Sequence, residues 1–178
     1  MQKKHEQLLT RLNETSIRLF SCNIAETTEK QAYKVLCTLL RETLAQKRKE
    51  YQDSYKENDR KKVYYMSMEF LVGTSLRNNL YNLGMEEDCR QVLKSQGFDI
   101  EALYGLDPDA GLGNGGLGRL ASCYLDCLTG NDLPATGFSI RYEFGIFKQK
   151  IVDGWQLEFP DNWLERGEVW LQPRNDES

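Results

Sequence analysis

The chain has 178 residues, of which 40% are hydrophobic and 28% charged, and its formal net charge is −4. This composition can bury a core, so it excludes a disordered protein, and the acidic balance argues against a nucleic-acid partner. No run of about 18 apolar residues is present, and the polar N-terminus lacks an apolar signal core, so we predict neither a membrane span nor a signal peptide. The five cysteines lack disulfide or zinc spacing, which predicts reduced thiols in a cytoplasmic protein and no metal site.

The first sixty residues are predicted to be helical. Between residues 29 and 50, apolar side chains recur with the i, i+3, i+4, i+7 spacing of one buried helical stripe. Thr28 and Gln31 have the spacing of a capping box at its start. Apolar residues between 8 and 20 indicate a shorter helix before it.

Residues 63–68 are rich in aromatic side chains and predict a buried strand, which Glu69 follows directly. A carboxylate at the end of a buried strand needs either a structural partner or a ligand, and the residues leave both readings open. Residues 75–83 and 86–96 predict two helices, the second ended by Gly97.

The most informative segment holds five glycines in the eight residues 111–118, and a predicted helix over residues 117–129 follows at once. A glycine loop that leads into a helix directs unpaired N–H groups and the positive end of the helix dipole at a ligand. The segment therefore predicts a seat for phosphate or for a sugar hydroxyl. The alternative is a tight turn that only packs the helix.

From residue 134 the pattern changes to strands. Residues 138–144 and 146–152 are predicted strands separated by Gly145, and Asp153 with Gly154 predicts a two-residue hairpin turn before a further strand. Several aromatic residues of this region, including Tyr142 and Trp163, could stack on sugars, although such residues more often form core.

Gly111, Gly113 and Gly116 also match the dinucleotide pattern GxGxxG, with Asp132 sixteen residues beyond Gly116. That fingerprint must follow an apolar strand directly, whereas residues 107–110 read DPDA, which is turn chemistry. A dinucleotide-binding domain is therefore the less favoured hypothesis.

Four blocks of sequence carry a resemblance to a known family. Residues 64–70 (YYMSMEF) resemble the YYxSxEF strand of the α-glucan phosphorylases, which act on glycogen, starch and maltodextrin. Residues 109–121 (DAGLGNGGLGRLA) resemble the glycine loop of that family, and residues 140–147 and 161–164 are similar to two further blocks. Order and spacing agree from about residue 28 to residue 170.

The resemblance implies an α/β fold. A helical N-terminal cap over residues 1–60 would lead into the incomplete N-terminal lobe of a two-lobed glycosyltransferase-type fold over residues 61–178, with a β-rich segment after residue 134 and the C-terminal lobe absent. It also implies a cytoplasmic enzyme, a homodimer at full length, that releases glucose 1-phosphate from α-1,4-glucan with inorganic phosphate. Pyridoxal 5′-phosphate would be its cofactor.

Carried over residue by residue, the family pattern places Asn114, Gly115, Gly116 and Leu117 along the substrate and phosphate site, with Gly115 and Gly116 nearest the cofactor. Glu69 would stand at the edge of the sugar pocket. Arg119 would support the loop. The lysine that forms the Schiff base would lie beyond residue 178, so we expect these residues alone to be inactive. The alternative is a non-catalytic module that binds glucan or a protein partner.

Some positions depart from the family pattern. Thr74 replaces the usual arginine after Gly73, and Val169 and Leu171 replace more typical residues. Arg48 falls about where the regulated animal enzymes have a nucleotide-site tryptophan, so we do not expect allosteric control of that kind.

Overall fold

The computed structural model describes residues 2–56 and 61–173. Within those residues, no helix is both long enough and apolar enough to cross a membrane. The elements in chain order are α1 (Gln2–Phe20), α2 (Glu29–Lys56), β1 (Val63–Met66), α3 (Leu76–Asn82), α4 (Glu86–Ser95), α5 (Ile100–Tyr104), α6 (Gly116–Gly130), β2 (Ala135–Phe138), β3 (Gly145–Val152), β4 (Trp155–Asp161) and α7 (Leu164–Gly167). Two 3₁₀ turns, Ile24–Glu26 and Glu168–Trp170, complete this set.

The described residues divide into two compact units. The first lies within residues 1–50, 74–107 and 168–178, and the second within residues 51–73 and 108–167. The predicted boundary between cap and lobe falls at residue 60, which is outside the described residues, and so does the end of the chain at residue 178. The division into cap and lobe stays a prediction.

The core of the first unit is built on the apolar stripe of α2. Five of its predicted positions are at most 1% exposed: Ala32, Val35, Leu36, Leu39 and Leu40. The predicted capping box is confirmed, since the Thr28 N–H donates to Gln31 Oε1 at 2.9 Å and the Gln31 N–H donates to Thr28 Oγ1 at 3.3 Å. The helix runs six residues beyond the predicted end, to Lys56.

The two helices predicted after β1 are confirmed as α3 and α4. Gly97 follows them with a φ of +88°, a left-handed conformation that glycine adopts without strain. The sequence did not predict α5, because five residues are too few to show a helical period. Its start is nevertheless capped, since the Asp99 side chain accepts a 3.0 Å hydrogen bond from the Glu101 N–H.

Asp107 is the buried polar centre of the first unit, with 7% of its surface exposed. Its Oδ1 accepts hydrogen bonds from the Tyr33 hydroxyl at 2.7 Å and from Trp170 Nε1 at 3.0 Å. Its Oδ2 accepts from the backbone N–H groups of Ser75 and Leu76, both at 2.7 Å, and so caps the start of α3. Burial, the neighbouring Cys37 and the bond to Asp107 raise the pKa of Tyr33, which keeps its hydroxyl a donor.

A 3₁₀ turn near the end of the described chain is bound to α2. Arg41 Nη1 donates to the carbonyl oxygens of Val169 at 2.9 Å and of Leu171 at 3.4 Å. Both acceptors are backbone atoms, so the unusual side chains at these two positions leave the contact with Arg41 intact.

In the second unit, β1 and β2 form a parallel pair from Val63↔Ala135 to Met66↔Phe138, with α6 packed beside β2. The ring of Tyr65 lies 5.7 Å from that of Tyr124 on α6. The prediction of a buried strand over residues 63–68 is wrong in extent and in burial: the strand ends at Met66, which is 84% exposed. Within the described residues, α6 and the aromatic rings beside it cover only one face of this two-stranded sheet.

Helix α6 is confirmed at nearly its predicted bounds, but its predicted apolar face is only partly buried. The small residues Gly118, Ala121 and Ser122 form the buried stripe. Leu117 and Tyr124, which the periodicity placed inside, are largely exposed. The helix makes its closest approach along glycine, alanine and serine, while Leu125 still packs against Gly137 of β2.

The predicted hairpin is confirmed: β3 and β4 pair antiparallel, and Asp153 and Gly154 at the turn have φ values of 51° and 81°. The strand predicted over residues 138–144 is wrong except at its first residue, because residues 139–144 form an irregular link. Side-chain bonds hold this link, since the hydroxyls of Ser139 and Tyr142 donate to the Met68 carbonyl at 3.1 and 3.0 Å.

Candidate active site

The glycine loop and the segment that follows β1 lie side by side in the second unit. The Phe70 N–H donates to the Leu112 carbonyl at 2.9 Å, and the Leu71 N–H donates to the Gly118 carbonyl at 3.0 Å. These two bonds join the chain just after Glu69 to both ends of the loop.

Glu69 is half-buried, and its Oε2 accepts a 3.3 Å hydrogen bond from the backbone N–H of Asn114. Ser67 fixes the backbone turn that leads to Glu69, because its hydroxyl donates to the Glu69 carbonyl at 2.9 Å. The strand end therefore delivers a carboxylate to the start of α6, where the helix dipole is positive.

The start of α6 has no side-chain cap. Gly115 at the N-cap makes no capping hydrogen bond, and the first turn contains no acidic residue. The first N–H groups of a helix have no partner within it, so those of Gly116 and Leu117 remain for an outside acceptor.

Close packing surrounds three of the five glycines. A Cβ at Gly111 would overlap the indole of Trp163. A Cβ at Gly113 would lie 2.9 Å from the Leu71 nitrogen, and one at Gly118 would lie 3.1 Å from Glu69 Cβ. The alternative of a loop that only packs a helix explains these three positions.

Gly115 and Gly116 have no such explanation within the described structure. A Cβ at either would meet no atom within 4 Å, and neither has a positive φ. Gly115 is extended, with a φ of −143° that any residue can adopt. Within the described residues, neither packing nor backbone conformation calls for glycine at these two positions.

Comparison with known proteins bears on both halves of this site. The sequence model of the family described as carbohydrate phosphorylase matches residues 93–178, which include the glycine loop. The brain form of glycogen phosphorylase from Bos taurus is 46% identical over 147 residues. Any stretch of 147 residues in this chain of 178 contains Glu69. The chain belongs to the α-glucan phosphorylase family.

Two further phosphorylases support the assignment. Glycogen phosphorylase of Chlamydia pneumoniae is 54% identical over 119 residues, and the human brain form is 50% identical over 123 residues. These matches cover 67% and 69% of this chain, and the Bos taurus match covers 83%. The chain spans only 14–17% of the length of these phosphorylases. The resemblance drawn from the four sequence blocks is confirmed.

The structure also bears on the dinucleotide hypothesis for this phosphorylase-family chain. No strand lies between α5 and α6, a stretch in which every residue is described. A dinucleotide fingerprint needs a strand immediately before its glycines, so the GxGxxG match is accidental.

The remaining predicted site residues of the phosphorylase loop lie at its surface. Leu117 is 61% exposed beside the open glycines. Arg119 Nη1 donates to the Leu71 carbonyl at 3.4 Å, which links α6 to the chain after Glu69. The functional roles of both stay predictions. Among the described residues, no group of three or more histidine, cysteine, aspartate or glutamate side chains could hold a metal ion.

A cavity of about 350 Å³ opens at the carboxyl ends of β1 and β2, where parallel sheets often bind ligands. Ser67 and Ser139 contribute its polar groups, but both hydroxyls donate to backbone carbonyls. Its other lining side chains are apolar, so it offers a sugar or phosphate little to bind.

The sequence did not assign a position to Trp163, which was one of several possible sugar-stacking or core aromatics. The structure buries it against the loop, with 4% of its surface exposed. Gly111 leaves room for a bulky neighbour, but nothing in the sequence says which of the three tryptophans it is.

Proposed function

We propose that this chain is the N-terminal portion of an α-glucan phosphorylase, which releases glucose 1-phosphate from α-1,4-glucan with inorganic phosphate. The observation that carries the proposal is the pair Gly115 and Gly116. These two glycines lie at an uncapped helix start, in open space, beside the Glu69 carboxylate.

The chemistry of this arrangement suits a sugar and a phosphate together. Phosphate oxygens would accept hydrogen bonds from the N–H groups of Gly116 and Leu117. A glucosyl hydroxyl would donate to Glu69, since an ionised carboxylate only accepts. Asn114 joins the two parts, because its N–H bonds Glu69 and its side chain is exposed at the loop.

Pyridoxal 5′-phosphate is the cofactor that membership in this family implies. The residues present fit a phosphate-bearing group, because Gly115 and Gly116 leave the backbone donors uncovered. When bound, the cofactor would supply a phosphate that takes part in proton transfer. The chain's own contribution would be to seat that group and the substrate, while the lysine that binds the cofactor covalently would belong to another part of the enzyme.

We further propose the larger organisation that the family implies. Residues 1–60 would form a cap and residues 61–178 part of the N-terminal lobe of a two-lobed glycosyltransferase-type fold. The enzyme would act as a cytoplasmic homodimer. The five free cysteines support the cytoplasmic part of this proposal.

The test is phosphate-dependent release of glucose 1-phosphate by the full-length protein from its native source, after its intact mass has been measured. We expect Gly116→Ala to lower kcat/KM by about tenfold or more, because a methyl group would hold the ligand off the backbone. Gly130→Ala is the matched control: it makes the same change in open space at the other end of α6. Absence of phosphorolysis in the wild type, or equal loss in both variants, would overturn the proposal.

A further inference from the structure

We propose that Trp163 and Tyr142 are positioning residues that fix the glycine loop relative to Glu69. The inference rests on the proposed function, because it names the residues that hold Glu69 and the glycine loop, the two halves of that site, in fixed positions. It concerns residues of the second unit only.

Trp163 holds the beginning of the loop. Its indole lies against Gly111 so closely that no side chain fits between them. On another edge of the ring, a Cβ at Gly167 would be 3.1 Å from Trp163 Cε3 and 3.3 Å from Pro108 Cγ. The ring is therefore confined both by the loop and by the short helix α7 that follows it, and it has little freedom to move.

Tyr142 carries the connection from Trp163 to the strand end. Trp163 Nε1 donates to the Tyr142 carbonyl at 3.1 Å. The Tyr142 hydroxyl donates in turn to the Met68 carbonyl at 3.0 Å, immediately before Glu69. Two aromatic side chains, each with few rotatable bonds, thus join the start of the loop to the residue that precedes the carboxylate.

Backbone hydrogen bonds from Phe70 and Leu71 fasten Leu112 and Gly118, but the contact of the Glu69 carboxylate with the middle of the loop is weak. Glu69 and Asn114 are 45 positions apart in sequence, and the one hydrogen bond between them is 3.3 Å long and exposed. Gly115 and Gly116 have no side chains with which to anchor themselves. Their position must come from the ends of the loop, and Trp163 holds one of these ends.

The experiment uses the full-length protein with Trp163→Phe and Tyr142→Phe. The first variant keeps a ring against Gly111 and removes the indole donor; the second keeps the ring and removes the hydroxyl. Trp170→Phe is the matched control, since it also removes an indole hydrogen bond, 3.0 Å long, but in the first unit. The readouts are melting temperature, hydrogen exchange at the N–H groups of Phe70, Leu71 and Asn114, and kcat/KM for phosphate.

We expect all three variants to lower the melting temperature. Only Trp163→Phe and Tyr142→Phe should speed exchange at the three N–H groups, by about fivefold, and lower kcat/KM for phosphate, by roughly tenfold or more. Unchanged exchange in both variants, or equal acceleration in Trp170→Phe, would overturn the inference. If the wild type lacks phosphorolysis, the proposed function fails while the exchange data still decide whether these residues position the loop.

Discussion

Gly118 and Glu69 are in such close contact that a Cβ added to the glycine would lie 3.1 Å from Glu69 Cβ and 3.2 Å from Glu69 Oε2. The Glu69 side chain therefore packs directly against the backbone of α6, and it can do so because the buried residue at this point of the helix is a glycine. This contact sets Glu69 against the loop independently of any ligand.

Gly118→Ala should destabilise the protein by about 1–3 kcal/mol, because the methyl group must displace Glu69 or the Leu71 backbone. Gly116→Ala should leave stability unchanged or raise it by up to about 1 kcal/mol, since alanine favours helix and the site is open. Urea denaturation of both variants measures the difference. Equal destabilisation by the two changes would contradict the distinction drawn between packed and open glycines.

Asp107→Asn should cost about 3 kcal/mol of stability. An amide nitrogen at that position would face either the two side-chain donors or the two backbone donors, and a buried donor opposite a donor is left unsatisfied. Tyr33→Phe should cost less, about 1 kcal/mol, because Oδ1 keeps the bond from Trp170.

The control for Asp107 is Asp109→Asn. Asp109 is exposed two residues further on, so the same chemical change should alter stability by less than about 0.5 kcal/mol. A similar loss in both variants would show that the buried hydrogen bonds of Asp107 do not stabilise the first unit.

The acid dependence of stability should be smaller in Asp88→Asn than in the wild type. The hydrogen bond from Lys4 lowers the pKa of Asp88 below its ordinary 3.8, partial burial opposes this, and the bond with His5 adds to it. A carboxyl group whose pKa is lower in the folded state stabilises the fold at pH values above its pKa in the unfolded state. This stabilisation is lost as the pH falls through the pKa of the folded state. The stability difference between the two proteins should therefore shrink from about pH 5 to about pH 3. A constant difference across denaturation curves at those pH values would refute the linkage.

Gly154→Ala should loosen the β3–β4 hairpin. The glycine has a φ of +81° with no atom within 4 Å of the added methyl group, so the cost of about 1 kcal/mol comes from the backbone alone. Hydrogen exchange within β3 and β4 should accelerate roughly fivefold. Asp153→Asn is the control, since asparagine tolerates the same left-handed conformation and should leave exchange unchanged.

The parts of the fold that local physics determines were predictable from the sequence. The stripe of α2, the Thr28 cap and the Asp153–Gly154 turn depend on residues close together in the chain. The family resemblance also named Glu69 and the loop, which the structure joins through Asn114.

The parts that depend on distant packing were not predictable. The pairing of β1 with β2 joins residues 72 positions apart in the pair Val63↔Ala135, and no local pattern specifies it. The periodicity of α6 marked Leu117 and Tyr124 as buried, but a helix can approach its neighbours along glycine instead, as α6 does at Gly118. Trp163 could not be singled out because its partner, Gly111, lies far away in the chain.

The contact between Arg41 and the backbone near residue 170 has a consequence for how this chain tolerates change. Because Arg41 donates to two backbone carbonyl oxygens and to no side chain, substitutions at Val169 and Leu171 leave its hydrogen-bond acceptors in place. Trp170 between them has no such freedom, since its indole is bound to Asp107. Substitutions at Val169 should therefore keep the Arg41 contact but must still fit the hydrophobic core against which Val169 packs, whereas substitutions at Trp170 also remove a hydrogen bond.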